Sequence, residues 1–180
     1  MKTIFSFDAE TNGLYGQPFC ISAIIYSQEM VEIDKFLGRC EINGDIDLYV
    51  KENILPSLTT VCNSHDSYAE LLIQFSKFYK KYIKALKIGH LISPVESNVL
   101  ADMMKLGLIK FEQLPMPFID VSGMLLMAGE NPCSVDEYAA KYNLFSNYSG
   151  NTHNPLYDCD ITAIVYKRLL SRNDTNPNKN

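Results

Sequence analysis

Thr3-Ile4-Phe5-Ser6-Phe7-Asp8-Ala9-Glu10-Thr11-Asn12-Gly13-Leu14 begins as a short apolar run and ends in two carboxylates and a turn. Ile4, Phe5 and Phe7 predict a strand buried at the centre of a sheet. Side chains two apart on a strand share a face, so Asp8 and Glu10 project the same way, one beyond the other. Ending a buried strand in this way costs several kcal/mol per ion unless a cation or hydrogen-bond donors compensate. Both acids would escape that cost in a solvated turn, for which Thr11-Asn12-Gly13 supplies the chemistry. An Asp-x-Glu pair alone does not separate the two readings.

Working outward, Phe19 to Tyr26 and a region around Val31 to Gly38 follow turn-like segments and read as two more strands, antiparallel to the first. From Ile46 the pattern turns helical, through Leu48 to Leu58 and then a long amphipathic stretch from Tyr68 to Lys84. Lys87 to His90 reads as a strand. In Ser93-Pro94-Val95-Glu96 a capping serine, a proline at the first helical position and a glutamate three residues after the serine predict a helix, running to Lys105. Phe118 to Val121 is the last strand, followed by helices over Val121 to Met127 and Ser134 to Tyr142. A polar loop, Asn147 to Asn154, leads to a final helix from Leu156 to Arg172. The sum is an α/β domain over residues 1–172, with a mixed sheet of about five strands flanked by helices. The polar tail, residues 173–180, is predicted to be disordered.

The 180 residues, 47% hydrophobic, suffice for one such domain and leave little for a second. Charged or polar residues interrupt every apolar stretch well short of the ~20 residues of a membrane span. Five widely spaced cysteines (Cys20, Cys40, Cys62, Cys133, Cys159), without a C-x-x-C pair or an apolar leader, read as thiols in a reducing cytoplasm. A net charge of −5 argues against wrapping duplex nucleic acid on a basic surface, although cations held by acids can supply local positive charge.

The final helix carries an apolar stripe of Ile161, Val165 and Leu169, and Asp158, three residues before it, points toward the core side. Asp160 is rotated away from that stripe and is predicted to be a solvated acid favoured by the helix dipole. His153 lies five residues before Asp158 in a loop rich in Gly and Asn, where it either reaches a site or is simply exposed. Glu96 precedes Val99, Leu100, Met103 and Met104 at helical offsets and therefore faces inward, unless it merely completes a capping box with Ser93. Asp102 falls off that face. Asp120, ending a strand, is read as a helix cap.

Together these segments resemble the DEDD exonuclease superfamily, of the ribonuclease H-like fold, and within it the histidine-containing DEDDh branch. Phe7-Asp8-Ala9-Glu10-Thr11-Asn12-Gly13-Leu14 is close to the family's first motif, and His153-Asn154-Pro155-Leu156-Tyr157-Asp158 carries the five-residue histidine-to-aspartate spacing of its third. The tyrosine branch would have tyrosine where Asn154 stands. The second motif departs: Gly89-His90-Leu91-Ile92-Ser93-Pro94-Val95-Glu96 has leucine for the usual asparagine, glutamate for aspartate, and a spacer one residue longer.

The resemblance implies hydrolysis of single-stranded DNA or RNA from the 3′ end, releasing nucleoside 5′-monophosphates with two Mg²⁺ or Mn²⁺ held by Asp8, Glu10, Glu96 and Asp158. It implies His153 as general base and places the terminal nucleotide against Thr11, Asn12, Gly13 and Leu14, with His90 nearby. Tyr15 and Phe19 are candidates for base stacking, core packing being the alternative for Phe19. The partner expected is a nucleic-acid 3′ end, with a homodimer left open. A catalytically weakened binding module and a small-molecule phosphodiesterase of the same fold are the competing readings. The choice between DNA and RNA is not encoded in any of these motifs.

Overall fold

The computed structural model describes residues 3–150 and 153–174, with side chains through 171. Strand β1 (Ile4–Thr11) pairs antiparallel with β2 (Pro18–Tyr26), and β2 pairs antiparallel with β3 (Glu32–Arg39). On its other side β1 runs parallel to β4 (Leu86–Gly89), and β4 runs parallel to β5 (Phe118–Asp120). The sheet order is therefore β3-β2-β1-β4-β5, with β1 central.

Alternation along β1 divides two cores. Phe5, Phe7 and Ala9 pack with Leu72, Phe75 and Tyr79 of α1 (Tyr68–Lys81) and with Val99 and Met103 of α2 (Val95–Lys105). Ile4 belongs to the opposite core, with α3 (Val121–Met127), α4 (Val135–Lys141) and α5 (Pro155–Asp174). The acids of β1 share that second face, and α5 is fixed against it by two serines. Ser6 Oγ donates to Cys159 O at 2.7 Å and Ser22 Oγ to Pro155 O at 2.9 Å, so the first turn of α5 lies over the end of β1.

The expected strands and main helices all form, with local departures. Leu48 to Leu58 is helical, as expected, but of mixed type: a π-helical turn, Val50–Ile54, passes into a 3-10 turn, Leu55–Leu58, where Pro56 lacks the N–H a continuing helix requires. The helix expected to reach Lys84 ends at Lys81, because buried Lys87 Nζ draws the Tyr82, Ile83 and Ala85 carbonyls to itself at 2.7, 2.7 and 3.0 Å. Burial there pushes the Lys87 pKa down to about 8. Ser93 does not cap α2. Pro94 occupies the N-cap without a side-chain cap bond, which leaves Glu96 free of the capping box.

A further correction concerns Asp160, which is not solvated but 1% exposed. It accepts hydrogen bonds from Tyr26 OH, from Ser146 Oγ at 2.8 Å and from Asn147 N at 2.6 Å, pinning the start of the loop that leads to His153. Helix α5 runs through Asp174, past the expected end at Arg172. The rest of the predicted tail, residues 175–180, and residues 151–152 of the polar loop lie outside the described residues. Among the described residues no helix is long and apolar enough to cross a membrane.

Asp160→Ala strands these donors in the interior and is expected to lower unfolding stability by about 3 kcal/mol in urea titrations. A change of less than ~0.5 kcal/mol, the usual result for a surface acid, would contradict the buried role.

Candidate active site

At the end of β1 one carboxylate oxygen from each of Asp8, Glu10 and Asp158 lies within 4.8 Å of the other two. The three line a cleft of about 560 Å³ together with Glu96, His90, His153, Leu14 and Tyr49. Glu10 and Glu96 are 7% and 4% exposed, while Asp8 and Asp158 stay partly open toward the cleft. Glu96 enters from α2 and is not one of the close trio. Its Oε1 accepts from Ala9 N at 3.2 Å, so it is tied to the backbone of β1 between the two acids.

Asp8 Oδ2 and Glu96 Oε2 are buried with no hydrogen-bond partner among the described residues. Native interiors seldom leave such atoms unpaired, and an ion is one of the ordinary explanations. The donors are all hard oxygens, which fits Mg²⁺ or Mn²⁺ better than zinc. Among the described residues no cysteine joins the trio, although Cys133 lines the cleft.

Burial and mutual repulsion raise the pKa of all four acids. Desolvation is the first cause of the raised pKa of Asp8, followed by the charges of Asp158, Glu10 and Glu96. Desolvation also leads for Asp158, with Glu10 and Asp136 adding to it. It raises Glu10 as well, against a lowering contact with His153, and pushes Glu96 up to about 8.

His153 sits at positive φ (70°) with Nδ1 3.4 Å from Glu10 Oε1, and that contact raises its pKa in spite of partial burial. His90 Nε2 lies 2.9 Å from Pro132 O, and since a carbonyl only accepts, Nε2 carries the proton. Of the predicted nucleotide-binding turn only Leu14, 59% exposed, lines the cleft. Thr11 is buried, and Gly13 adopts φ 78° beside Asp47, outside the lining. Asn12 spends its amide on Asp45 O (2.9 Å) and Asp47 N (2.8 Å). Phe19 is a core residue at 0% exposure, and Tyr15, 79% exposed, lies outside the cleft lining.

Tyr49 and Asp136 join the lining without any signal in the local sequence. Tyr49 reaches the site from the turn before Val50, and Asp136 from the first turn of α4, where its Oδ1 accepts from Tyr157 OH at 2.8 Å. The capping serine of α4 is legible in the sequence. Nothing local tells that the acid two residues later faces Asp158.

No family model matches the chain, and no curated protein matches it. Solved structures do. One, exonuclease X in complex with 5′ overhanging duplex DNA, superposes with a TM-score of 0.61 at 17% identity, over 98% of this chain and 95% of that one. Another, a full-length 3′-exonuclease, superposes with a TM-score of 0.63 at 16% identity over 95% of this chain, which spans only 60% of that protein. At such identities the likeness is one of fold: the mixed five-stranded sheet with flanking helices is the expected ribonuclease H-like architecture.

Raised carboxyl pKa values make the native state bind more protons than the unfolded chain from about pH 4 upward, so stability falls as pH rises through the folded-state values. His153 acts in the same direction, because stability gained from a raised histidine pKa is lost on deprotonation. In chelator, the melting temperature is therefore expected to fall between pH 5 and 8. Asp8→Asn should melt higher than wild type at pH 8, by about 2–4 °C for each kcal/mol of relieved repulsion. Millimolar Mg²⁺ or Mn²⁺ should raise the wild-type melting temperature and leave that of Asp8→Asn nearly unmoved. A metal-insensitive wild type would refute the cation site.

Proposed function

We propose that this chain is a 3′-to-5′ exonuclease that hydrolyses DNA or RNA ends with two divalent cations. The observation carrying this reading is the convergence of Asp8, Glu10 and Asp158, from opposite ends of the sequence, with His153 against Glu10 at the mouth of the same cleft. The fold shared with two exonucleases supports it, as does the DNA bound to one of them.

Asp8, Glu10 and Asp158 would hold the ions, with Glu96 assisting through Oε2, the oxygen not bonded to Ala9. Such ions, when bound, neutralise the phosphodiester and acidify water. Water attacks the terminal phosphorus and the bond to the 3′ oxygen of the preceding nucleotide breaks. A nucleoside 5′-monophosphate leaves, and the shortened strand keeps a 3′ hydroxyl. His153 takes the proton of the attacking water at Nδ1, the nitrogen facing the acids. Leu14, exposed at the cleft edge, offers an apolar surface to a base, which is sequence-tolerant contact.

One observation favours the second reading, a weakened binding module: Glu96 stands outside the close trio with one oxygen engaged by Ala9 N–H. A single assay separates them. Labelled single-stranded DNA, single-stranded RNA and duplex with a 5′ overhang are incubated with Mg²⁺ or Mn²⁺ against chelator. The exonuclease reading expects mononucleotides released stepwise from the 3′ end, whereas the module retains strands uncut in a metal-dependent shift assay.

His153→Ala is expected to reduce single-turnover cleavage about 100-fold or more and to leave calorimetric Mn²⁺ binding largely intact, while Asp8→Ala should remove both. Because the base must be neutral, the wild-type rate should rise with pH through the titration of His153 and the alanine variant should lose that limb. Wild-type turnover by His153→Ala would end the general-base assignment.

A further inference from the structure

Tyr49 is 57% exposed, yet its side chain is not loose at the surface. Its hydroxyl lies 3.4 Å from His153 Nε2, and its ring meets the imidazole edge-on, with centroids 6.2 Å apart at 84°. His153 thus has a neighbour at each nitrogen, Glu10 at Nδ1 and Tyr49 at Nε2. The backbone of Tyr49 is itself held: Asp47 Oδ1 accepts from Tyr49 N at 2.9 Å, and Asn53 Nδ2 donates to Tyr49 O at 3.0 Å. Asp47 N in turn donates to Asn12 Oδ1 at 2.8 Å, two residues beyond Glu10. A closed circuit of contacts therefore runs from β1 through Asn12, Asp47, Tyr49 and His153 back to Glu10.

We propose that Tyr49 is a positioning residue that steers the His153 imidazole over the acid cluster, with Asn12 and Asp47 as its brace. The proposal rests on the reading of His153 as general base. A phenol suits the task because it donates to a bare nitrogen or accepts from an N–H, so the contact survives whichever nitrogen carries the proton. Distances of 3.4 Å on both sides are at the long end of hydrogen bonding. Contacts of that length guide the ring without locking it. The brace also accounts for Asn12, whose amide is committed to the 45–47 turn and not to the cleft.

The test is Tyr49→Phe, which keeps the ring and deletes the hydroxyl. Single-turnover cleavage of a single-stranded oligonucleotide with Mn²⁺ should slow about three- to tenfold, the scale of one hydrogen bond, with half-saturation unchanged. In a His153→Ala background the same substitution should have no further effect, since the two act as one unit. Independently of catalysis, the ¹H–¹⁵N ring signals that vanish in His153→Ala should shift in metal-free Tyr49→Phe. A wild-type rate, an equal loss without His153, or unmoved ring signals would each overturn the assignment. Were the wild type to cleave none of the strands offered, the nuclease reading would fail, and the ring signals would still decide whether Tyr49 holds His153.

Discussion

The carboxylates of Asp8, Glu10 and Asp158 face one another across gaps of at most 4.8 Å at the end of a strand that is otherwise buried. Each ionised pair is unfavourable by on the order of 3 kcal/mol at an effective dielectric of about 20, before desolvation is counted. Against a net stability of about 5–15 kcal/mol for a typical domain, that is a large fixed cost concentrated in one place. Much of the rest of the molecule can be understood as what tolerates it. Two apolar cores clamp β1 from either side, with Phe5 and Phe7 among the rings of Phe75, Phe78 and Tyr79 on one face and α5 on the other.

Repulsion of this size would push the acids apart if the elements carrying them were free to slide. Ser6 and Ser22 prevent that for α5 by bonding carbonyls in its first turn. On the α2 side the work falls to Asp120, whose carboxylate caps α3 through Ser122 N and also accepts from Leu91 N and Ile92 N. That turn must pass close to β1, and Gly89 makes room for it: a Cβ there would come within 2.5 Å of Ile92 and 3.2 Å of Phe7 O. Ile92 O then receives Ser97 N at 3.1 Å, which sets where α2 begins and so where Glu96 stands. Leu91 itself lines the cleft, whereas Ser6, Ser22, Gly89, Ile92 and Asp120 stand outside its lining.

What the sequence makes legible is what local periodicity encodes. The apolar run into Asp8-Ala9-Glu10 gives a central strand with both acids on one face, and the stripe on the last helix turns Asp158 inward, as observed. The same stripe misleads at Asp160, because it presumes that whatever lies off the stripe meets water. Helix α5 is buried almost all round, with Cys159, Thr162, Ala163 and Tyr166 inside as well as Ile161, Val165 and Leu169, and Tyr26 and Ser146 reach the acid from other elements. The Ser93 capping box misleads for a related reason: the four residues suffice to predict a cap, but next to the turn held by Asp120 the N-cap is Pro94 and α2 begins at Val95. Tyr49 and Asp136 were invisible because each is brought to the cleft by contacts distant in sequence. Of the turn that the resemblance assigns to the terminal nucleotide, Leu14 lines the cleft, Thr11 and Gly13 lie outside its lining and Asn12 braces a neighbouring loop.

The longer side chain of Glu96 changes what one carboxylate can do. With Oε1 on Ala9 N and Oε2 unpaired, the group serves the backbone of β1 and still presents an oxygen to the cleft. An N–H donor stabilises the ionised form, and its lowering effect on the Glu96 pKa opposes the burial that raises it. A shorter aspartate at the same helical position would reach less far toward β1 and would have to choose between the two partners. On the proposed function, then, the longer residue trades membership of the close trio for a fixed tether to the strand that carries two of its members. The tether holds Glu96 against the backbone between Asp8 and Glu10, which is the kind of preorganisation a site assembled from three remote segments requires.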